Sequence, residues 1–265
     1  EKVMGLPVIG FVVDLFSALL NQPCPRKYKM FVSAKPRSMV TESLRSIRTN
    51  LEFFAVDQSL QTIIITSASP EEGKTTIAAN LALIMGQGGK KTLLVDADLR
   101  HPNIHKLFNL SNRVGLSDLL RSKLDLDQVT THVESNNNVS IITSGSLPPN
   151  PAELVSSERM VEIINGFKEK FDFIVFDSPP MVVTDPQIIA SRVDGLIFIV
   201  QPGKTRARHM NVPMGQLSRI KTKVLGVVLN KIPRKLKSYY SNYYYASSYP
   251  SEVKSKYFKD DSSEK

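Results

Sequence analysis

Forty residues, from Gln61 to Arg100, leave this chain little freedom in how it folds. Thr62-Ile-Ile-Ile-Thr-Ser67 is a β-branched run suited to a strand buried on both faces. A tight loop, Ala68-Ser-Pro-Glu-Glu-Gly-Lys-Thr-Thr76, follows it, and the Ala/Leu-rich stretch Ile77 to Met85 favours helix. Strand, loop and helix, with Gly73-Lys74-Thr75-Thr76 closing the loop, make a phosphate-binding P-loop. A polyphosphate requires inward-pointing backbone N–H groups, the positive end of a helix dipole, one ammonium, and one hydroxyl for Mg²⁺. Gly73 lets the backbone approach closely, Lys74 reaches the β- and γ-phosphates, and Thr75 ligates the metal. Ser69, Pro70, Glu71, Glu72 and Thr76 complete the expected nucleotide-binding loop. Ala68 stands where the motif usually begins with Gly. A chance strand-turn-helix with a solvated Lys74 is the competing reading, and the flanking strand and helix argue against it.

Gly88-Gly89 ends the helix, and Thr92 to Val95 reads as a second buried strand that delivers Asp96 and Asp98 at its C-terminal end. Ligands of open parallel sheets bind at that edge. One carboxylate there can hold Mg²⁺ while the other accepts a proton; ordinary strand-end capping is the alternative. Arg100 follows as a further candidate for the nucleotide. Phe173-Ile-Val-Phe-Asp177-Ser-Pro-Pro180 repeats the pattern, an apolar strand ending in an acid, as in a Walker B element. A P-loop with three acids at strand ends suggests metal-assisted phosphoryl transfer.

With 265 residues, 42% hydrophobic and 22% charged, the chain can bury one sizeable α/β core with appended ends. Its one cysteine, Cys24, excludes an internal disulfide and fits a reducing compartment, and no secretory signal is visible. The net charge of +9 favours anionic partners without choosing among nucleotide, nucleic acid, acidic lipid and acidic protein.

Residues 3 to 20 are apolar, but Gly5, Pro7, Gly10 and Asp14 interrupt them, whereas a membrane span needs about 20 unbroken apolar residues. They read as a segment docked on the globular domain or on a neighbour, joined by the proline-broken linker Asn21 to Lys29. Starting at Glu1, the chain reads as a fragment or a fusion of two pieces. Ser38 to Phe54 has the apolar spacing of an amphipathic helix through Leu44, Ile47, Leu51 and Phe54. Its polar face carries Glu42, Arg45 and Arg48, an ExxRxxR pattern that is either a salt-bridged, solvated face or a latch between subunits. His101 to Phe108 reads as a surface turn, since His101 and His105 lack a third metal ligand. Short helices are expected over Gly115 to Arg121 and Leu124 to Val129, a strand over Val139 to Thr143, and a loop from Gly145 to Pro151. One long helix is expected over Ala152 to Phe171. Strands Gly195 to Val200 and Val224 to Leu229 flank a helix from Arg206 to Ile220. This alternation indicates an α/β fold with a doubly wound, mostly parallel sheet. Asn230, at the end of the last strand, is placed to meet a purine or simply to form a turn.

The C-terminal stretch is different in kind. Seven of the eight tyrosines lie there: Tyr239, Tyr240, Tyr243, Tyr244, Tyr245, Tyr249 and Tyr257. No apolar periodicity supports a packed element, so a flexible tail is expected. From composition alone it stacks nucleobases, forms sticky low-complexity sequence, or collects phosphate.

Together the P-loop, the Asp96-Ala-Asp98 and Asp177-Ser-Pro-Pro180 strand ends, the ExxRxxR helix and the tyrosine tail resemble the bacterial tyrosine kinases (BY-kinases) of capsule and exopolysaccharide synthesis. The resemblance spans about residues 31 to 257. It implies a P-loop kinase domain over 30–232, a tyrosine-rich tail over 233–265, and an adaptor-like segment with linker over 1–29. ATP and Mg²⁺ are the implied cofactors. Lys74 and Thr75 are implied to bind phosphate and metal, Asp96 to act as base, and Asp98 and Asp177 to organise the metal. Tyr239, Tyr240, Tyr243, Tyr244, Tyr245 and Tyr249 are the implied acceptors. The resemblance favours Glu42, Arg45 and Arg48 as the contacts of a ring in which one subunit's tail enters the next subunit's site. The N-terminal ten residues look like the cytoplasmic end of a transmembrane chain-length adaptor. Implied partners are therefore that adaptor, further copies of the chain and polysaccharide-synthesis enzymes, at the inner face of the membrane, with no nucleic acid. The nearest rival is a ParA/MinD-type switch ATPase on DNA or membrane, but that group carries a lysine where this chain has Ser69. A small-molecule kinase would have no use for the tyrosine tail, and a nucleotide-binding scaffold would carry the same site.

Overall fold

A computed structural model of the chain describes residues 5–14, 30–34, 36–57, 59–122, 124–134, 136–205, 210–218 and 222–233. Among these, eight strands form one sheet: β1 (Val8–Val13), β2 (Thr62–Ser67), β3 (Thr92–Asp96), β4 (Thr130–Val133), β5 (Asn136–Ile142), β6 (Phe173–Asp177), β7 (Gly195–Val200) and β8 (Lys223–Ile232). Their order is β1-β8-β7-β2-β6-β3-β5-β4. Every neighbouring pair runs parallel except β4 with β5. The helices are α1 (Phe31–Ala34), α2 (Met39–Asp57), α3 (Lys74–Gln87), α4 (Ile104–Phe108), α5 (Leu116–Arg121), α6 (Leu126–Val129), α7 (Pro151–Ser156), α8 (Glu158–Lys170), α9 (Asp185–Ala190) and α10 (Asn211–Leu217).

Every residue of β2, β3 and β6 is buried, which explains their unbroken apolar runs. Successive side chains still alternate between two cores. Ile63, Ile65, Leu94, Val175 and Ile197 join α2 and α3 on one face, through Leu44, Ile47, Leu51, Ile77 and Leu81. Ile64, Leu93, Val95, Ile174 and Phe198 meet α5, α8 and α9 on the other, through Leu119, Ile164, Phe167 and Ile189. The expected doubly wound α/β sheet is therefore present. No described helix is long and apolar enough to cross a membrane.

Two expectations need correction, one becomes more specific and one strand is new. The docked N-terminal segment contains an edge strand: β1 lies parallel to β8, pairing Phe11 with Leu229 and Val13 with Ile232. The surface turn at His101 to Phe108 contains helix α4, because Asp96 accepts hydrogen bonds from its first N–H groups and Ile104 is wholly buried. The long helix over Ala152 to Phe171 is two helices, since Ser157 takes extended angles (φ −62°, ψ 154°) between α7 and α8. Strand β4 was not expected at all; it adds an antiparallel edge beyond β5. Of the helix expected from Arg206 to Ile220, α10 is the described part. The linker Asn21 to Lys29 and all of the tail tyrosines lie outside the described residues.

Candidate active site

In a parallel sheet the strand C-termini share one edge, and the order β7-β2-β6-β3 puts the P-loop, Asp177 and Asp96 side by side there. Asp96 and Asp177 are partners in register across β3 and β6. The P-loop leaves β2 after Ser67 and enters α3 at Lys74. Gly73 caps α3 in the left-handed region (φ 95°), a conformation that favours glycine. A Cβ there would lie 2.1 Å from Asn230 Nδ2, so glycine is also required for close approach.

The loop is braced from outside. Glu72 is fully buried; its Oε2 accepts from Ser69 N–H at 2.9 Å and its Oε1 accepts from the Thr205 hydroxyl. Asn230 Nδ2 donates to the Glu72 carbonyl at 2.8 Å and Lys231 Nζ to the Glu71 carbonyl at 2.7 Å. Lys204 Nζ lies 3.4 Å from the Pro70 carbonyl and 3.3 Å from Glu71 Oε2. Asn230, read as meeting a purine or forming a turn, thus places one N–H of its amide on the P-loop backbone. Thr75 and Thr76 follow in the first turn of α3, both half-buried.

Lys74 is 7% exposed. Burial pulls its ammonium pKa down, and the Asp177, Asp98 and Glu72 carboxylates pull it back up. Burial pushes the Asp177 carboxyl up to about 7; the Thr75 hydroxyl and Lys74 act against that rise, and Asp98 adds to it. Asp96 is raised too, by burial and then by Asp177, although its Oδ2 accepts from Asn103 and Ile104 N–H groups at 3.2 and 3.0 Å. Neither oxygen of Asp177 meets the geometry of a hydrogen bond, the Thr75 hydroxyl being only near enough to oppose the rise, and Asp96 Oδ1 has no partner. Asp98 is less buried, and its Oδ1 accepts from the N–H groups of Arg100 (3.2 Å) and His101 (2.8 Å). Arg100 holds the wholly buried Asp185 at the start of α9 through two bonds of 2.8 and 2.9 Å.

Buried carboxylate oxygens without partners are costly, and a divalent cation with phosphate oxygens satisfies them. No group of three or more His, Cys, Asp or Glu among the described residues can hold a metal alone. Mg²⁺ needs no such cage, since it takes one or two carboxylates and completes its shell with substrate phosphates and water. Asp177, beside the Thr75 hydroxyl, fits that requirement.

Three residue groups expected from sequence therefore converge: the P-loop, the Asp96/Asp98 pair and Asp177. Glu42, Arg45 and Arg48 do not join them; they lie on α2, where Arg48 meets the far end of α3 from Lys74. Sequence reasoning assigned no role to Asp185, Lys204, Thr205 or Lys231. The signal for two of them was present, because Gln201-Pro-Gly-Lys-Thr205 is a turn following an apolar strand that ends at the same edge.

Comparison with known proteins agrees with this geometry. Residues 60–210 match a family described as an AAA domain. The chain is 40% identical to the tyrosine-protein kinase YwqD of Bacillus subtilis, over 79% of this chain and 89% of that one. It is 38% identical to the putative tyrosine-protein kinase CapB of Staphylococcus aureus, over 82% and 94%. The crystal structure of the chimerical protein CapA2B2 superposes with a TM-score of 0.80 at 34% identity, covering 88% of this chain and 98% of that one. With a P-loop braced at one sheet edge, paired acids beside it and these relatives, the chain belongs to the bacterial tyrosine-protein kinases, protein-tyrosine kinases of the P-loop type.

Proposed function

We propose that the chain is an autokinase that moves the γ-phosphoryl group of ATP to tyrosines of its own C-terminal cluster, in trans within an oligomer, and so regulates capsular polysaccharide synthesis. The observation that carries the reading is the buried, unpartnered carboxylate of Asp177 beside Lys74 and Thr75, in a chain whose last part holds seven tyrosines. Lys74 neutralises phosphate charge, and the backbone of Ser69 to Thr76 orients the polyphosphate. Thr75, Asp98 and Asp177 would hold Mg²⁺, which would supply further neutralisation of the phosphates. The tyrosine oxygen forms the new P–O bond as the bond to the ADP oxygen breaks, and Asp96 takes the phenolic proton. Asp96 is assigned this role because its Oδ1 is buried without a hydrogen-bond partner and so is open to accept that proton. The N-terminal segment that contains β1 is read as standing for the end of a membrane adaptor, and such a partner would keep the kinase at the inner face of the membrane.

Intact and peptide mass spectrometry after incubation with ATP and Mg²⁺ tests this, beside a Lys74→Met control. Phosphate gained within residues 239 to 257, and absent from the control, is expected. ATP hydrolysis with no mass gain would overturn the kinase reading in favour of a ParA/MinD-type switch.

A further inference from the structure

Three successive carbonyls of the P-loop, those of Pro70, Glu71 and Glu72, each meet a side-chain donor from outside the loop: Lys204 Nζ at 3.4 Å, Lys231 Nζ at 2.7 Å and Asn230 Nδ2 at 2.8 Å. In a trans peptide the C=O of one residue and the N–H of the next point opposite ways. Drawing these three carbonyls outward therefore turns the N–H groups of Glu71, Glu72 and Gly73 towards the loop's interior. That is the orientation an anion-binding nest of backbone amides needs. Glu71 sits at φ 62°, a region that a non-glycine residue adopts only when its surroundings hold it there. Lys231 sits at φ 55° and is held likewise, at the end of β8.

We propose that Lys231, with Asn230 and Lys204, is a positioning residue of the phosphate site: these side chains orient the amides of the P-loop from behind and do not themselves touch phosphate. The inference rests on the nucleotide-binding reading and names what prepares that site. Bond lengths rank the contributions, Lys231 and Asn230 ahead of Lys204.

The test uses the full chain with Lys231→Met, which keeps the stem and removes the donor, with Lys231→Arg, and with the more exposed Lys204→Met. Hydrogen exchange of peptides covering residues 69–76 is followed without nucleotide, and ATP affinity is measured by calorimetry. Lys231→Met is expected to speed exchange in that segment and to weaken ATP about tenfold, the worth of one charge-assisted hydrogen bond. Lys231→Arg restores most of both, and Lys204→Met shows the smaller effect. Unchanged exchange with lost ATP affinity would mean that Lys231 touches phosphate directly, and would overturn the proposal; so would no change in either. If the parent chain binds no nucleotide, the function reading falls, and the exchange measurement still decides the positioning role on its own.

Discussion

At the scale of single residues, Asp177 sets folding against function. Its carboxylate has no hydrogen-bond partner, and burial raises its pKa to about 7, from about 3.9 in an unfolded chain. Between those values the folded state keeps a proton that the unfolded state has shed. Stability therefore falls as pH rises through that window, and stays low above it. Asp177→Asn removes the penalty. Without divalent cations at pH 8 the variant is expected to melt several degrees above the parent, at about 2–4 °C per kcal/mol for a chain of this size. The gap should close towards pH 4, and kinase activity should be lost throughout. A melting temperature at pH 8 equal to or below the parent's would show that the carboxylate is satisfied in the free protein. Lys74, Asp96 and Asp177 were legible in the sequence because each sits at a strand end that a local apolar run defines. Lys231 was not, because its partner Glu71 lies 160 positions away, and Asp185 was not, because Arg100 meets it across 85.

At the scale of elements, the least legible was β1. Its run Val8–Val13 carries no alternation, and what makes it a strand is a ladder to β8, some two hundred residues later. Strand β4, Thr-Thr-His-Val, has too little apolar content to announce itself, and Ser157 divides α7 from α8 with no Gly or Pro to signal the break. The P-loop strand and helix were legible because their local pattern and tertiary burial agree. Once seated, β1 is clamped: Asn50 Nδ2 on α2 donates to the Ile9 carbonyl at 2.9 Å, and Asp14 N–H donates to the Ile232 carbonyl at 2.9 Å. A Cβ on Gly10 would lie 2.2 Å from Ile47 Cγ1. Gly10→Val should therefore cost about 1–3 kcal/mol through overpacking. Because β1 pairs with the end of β8 that presents Asn230 and Lys231, the same variant should also bind ATP more weakly. Urea unfolding and an ATP titration check the two effects together. A stability loss with unchanged ATP affinity would reduce β1 to a packing element.

At the scale of the whole molecule, helix α2 carries the ExxRxxR pattern proposed to bear on assembly, and there the pattern divides in two. Glu42 and Arg45 pair with each other, their side chains 50% and 36% exposed, and so remain open to a neighbouring copy. Arg48 turns the other way. Its NH1 donates to the Ile84 carbonyl at 3.3 Å near the C-terminus of α3, where a cation meets the negative end of the helix dipole, and its Nε lies 3.6 Å from Glu52. A Cβ on Gly88 would come within 2.8 Å of that guanidinium, so the end of the P-loop helix is shaped around it. The motif thus joins a surface that can face another subunit to the helix that begins at Lys74. Glu42→Lys should shift sedimentation velocity towards smaller species and slow tail phosphorylation, which in trans depends on concentration. It should leave the melting temperature nearly unchanged, since an exposed pair contributes only about 0–1 kcal/mol. Arg48→Ala should instead lower stability by about 1 kcal/mol through loss of the α3 contact, whatever the state of assembly. If Glu42→Lys sediments as the parent does, the exposed half of the motif is a solvated face and the subunits meet elsewhere. If Arg48→Ala changes assembly without changing the melt, its bond to α3 gives way to a contact with the neighbour.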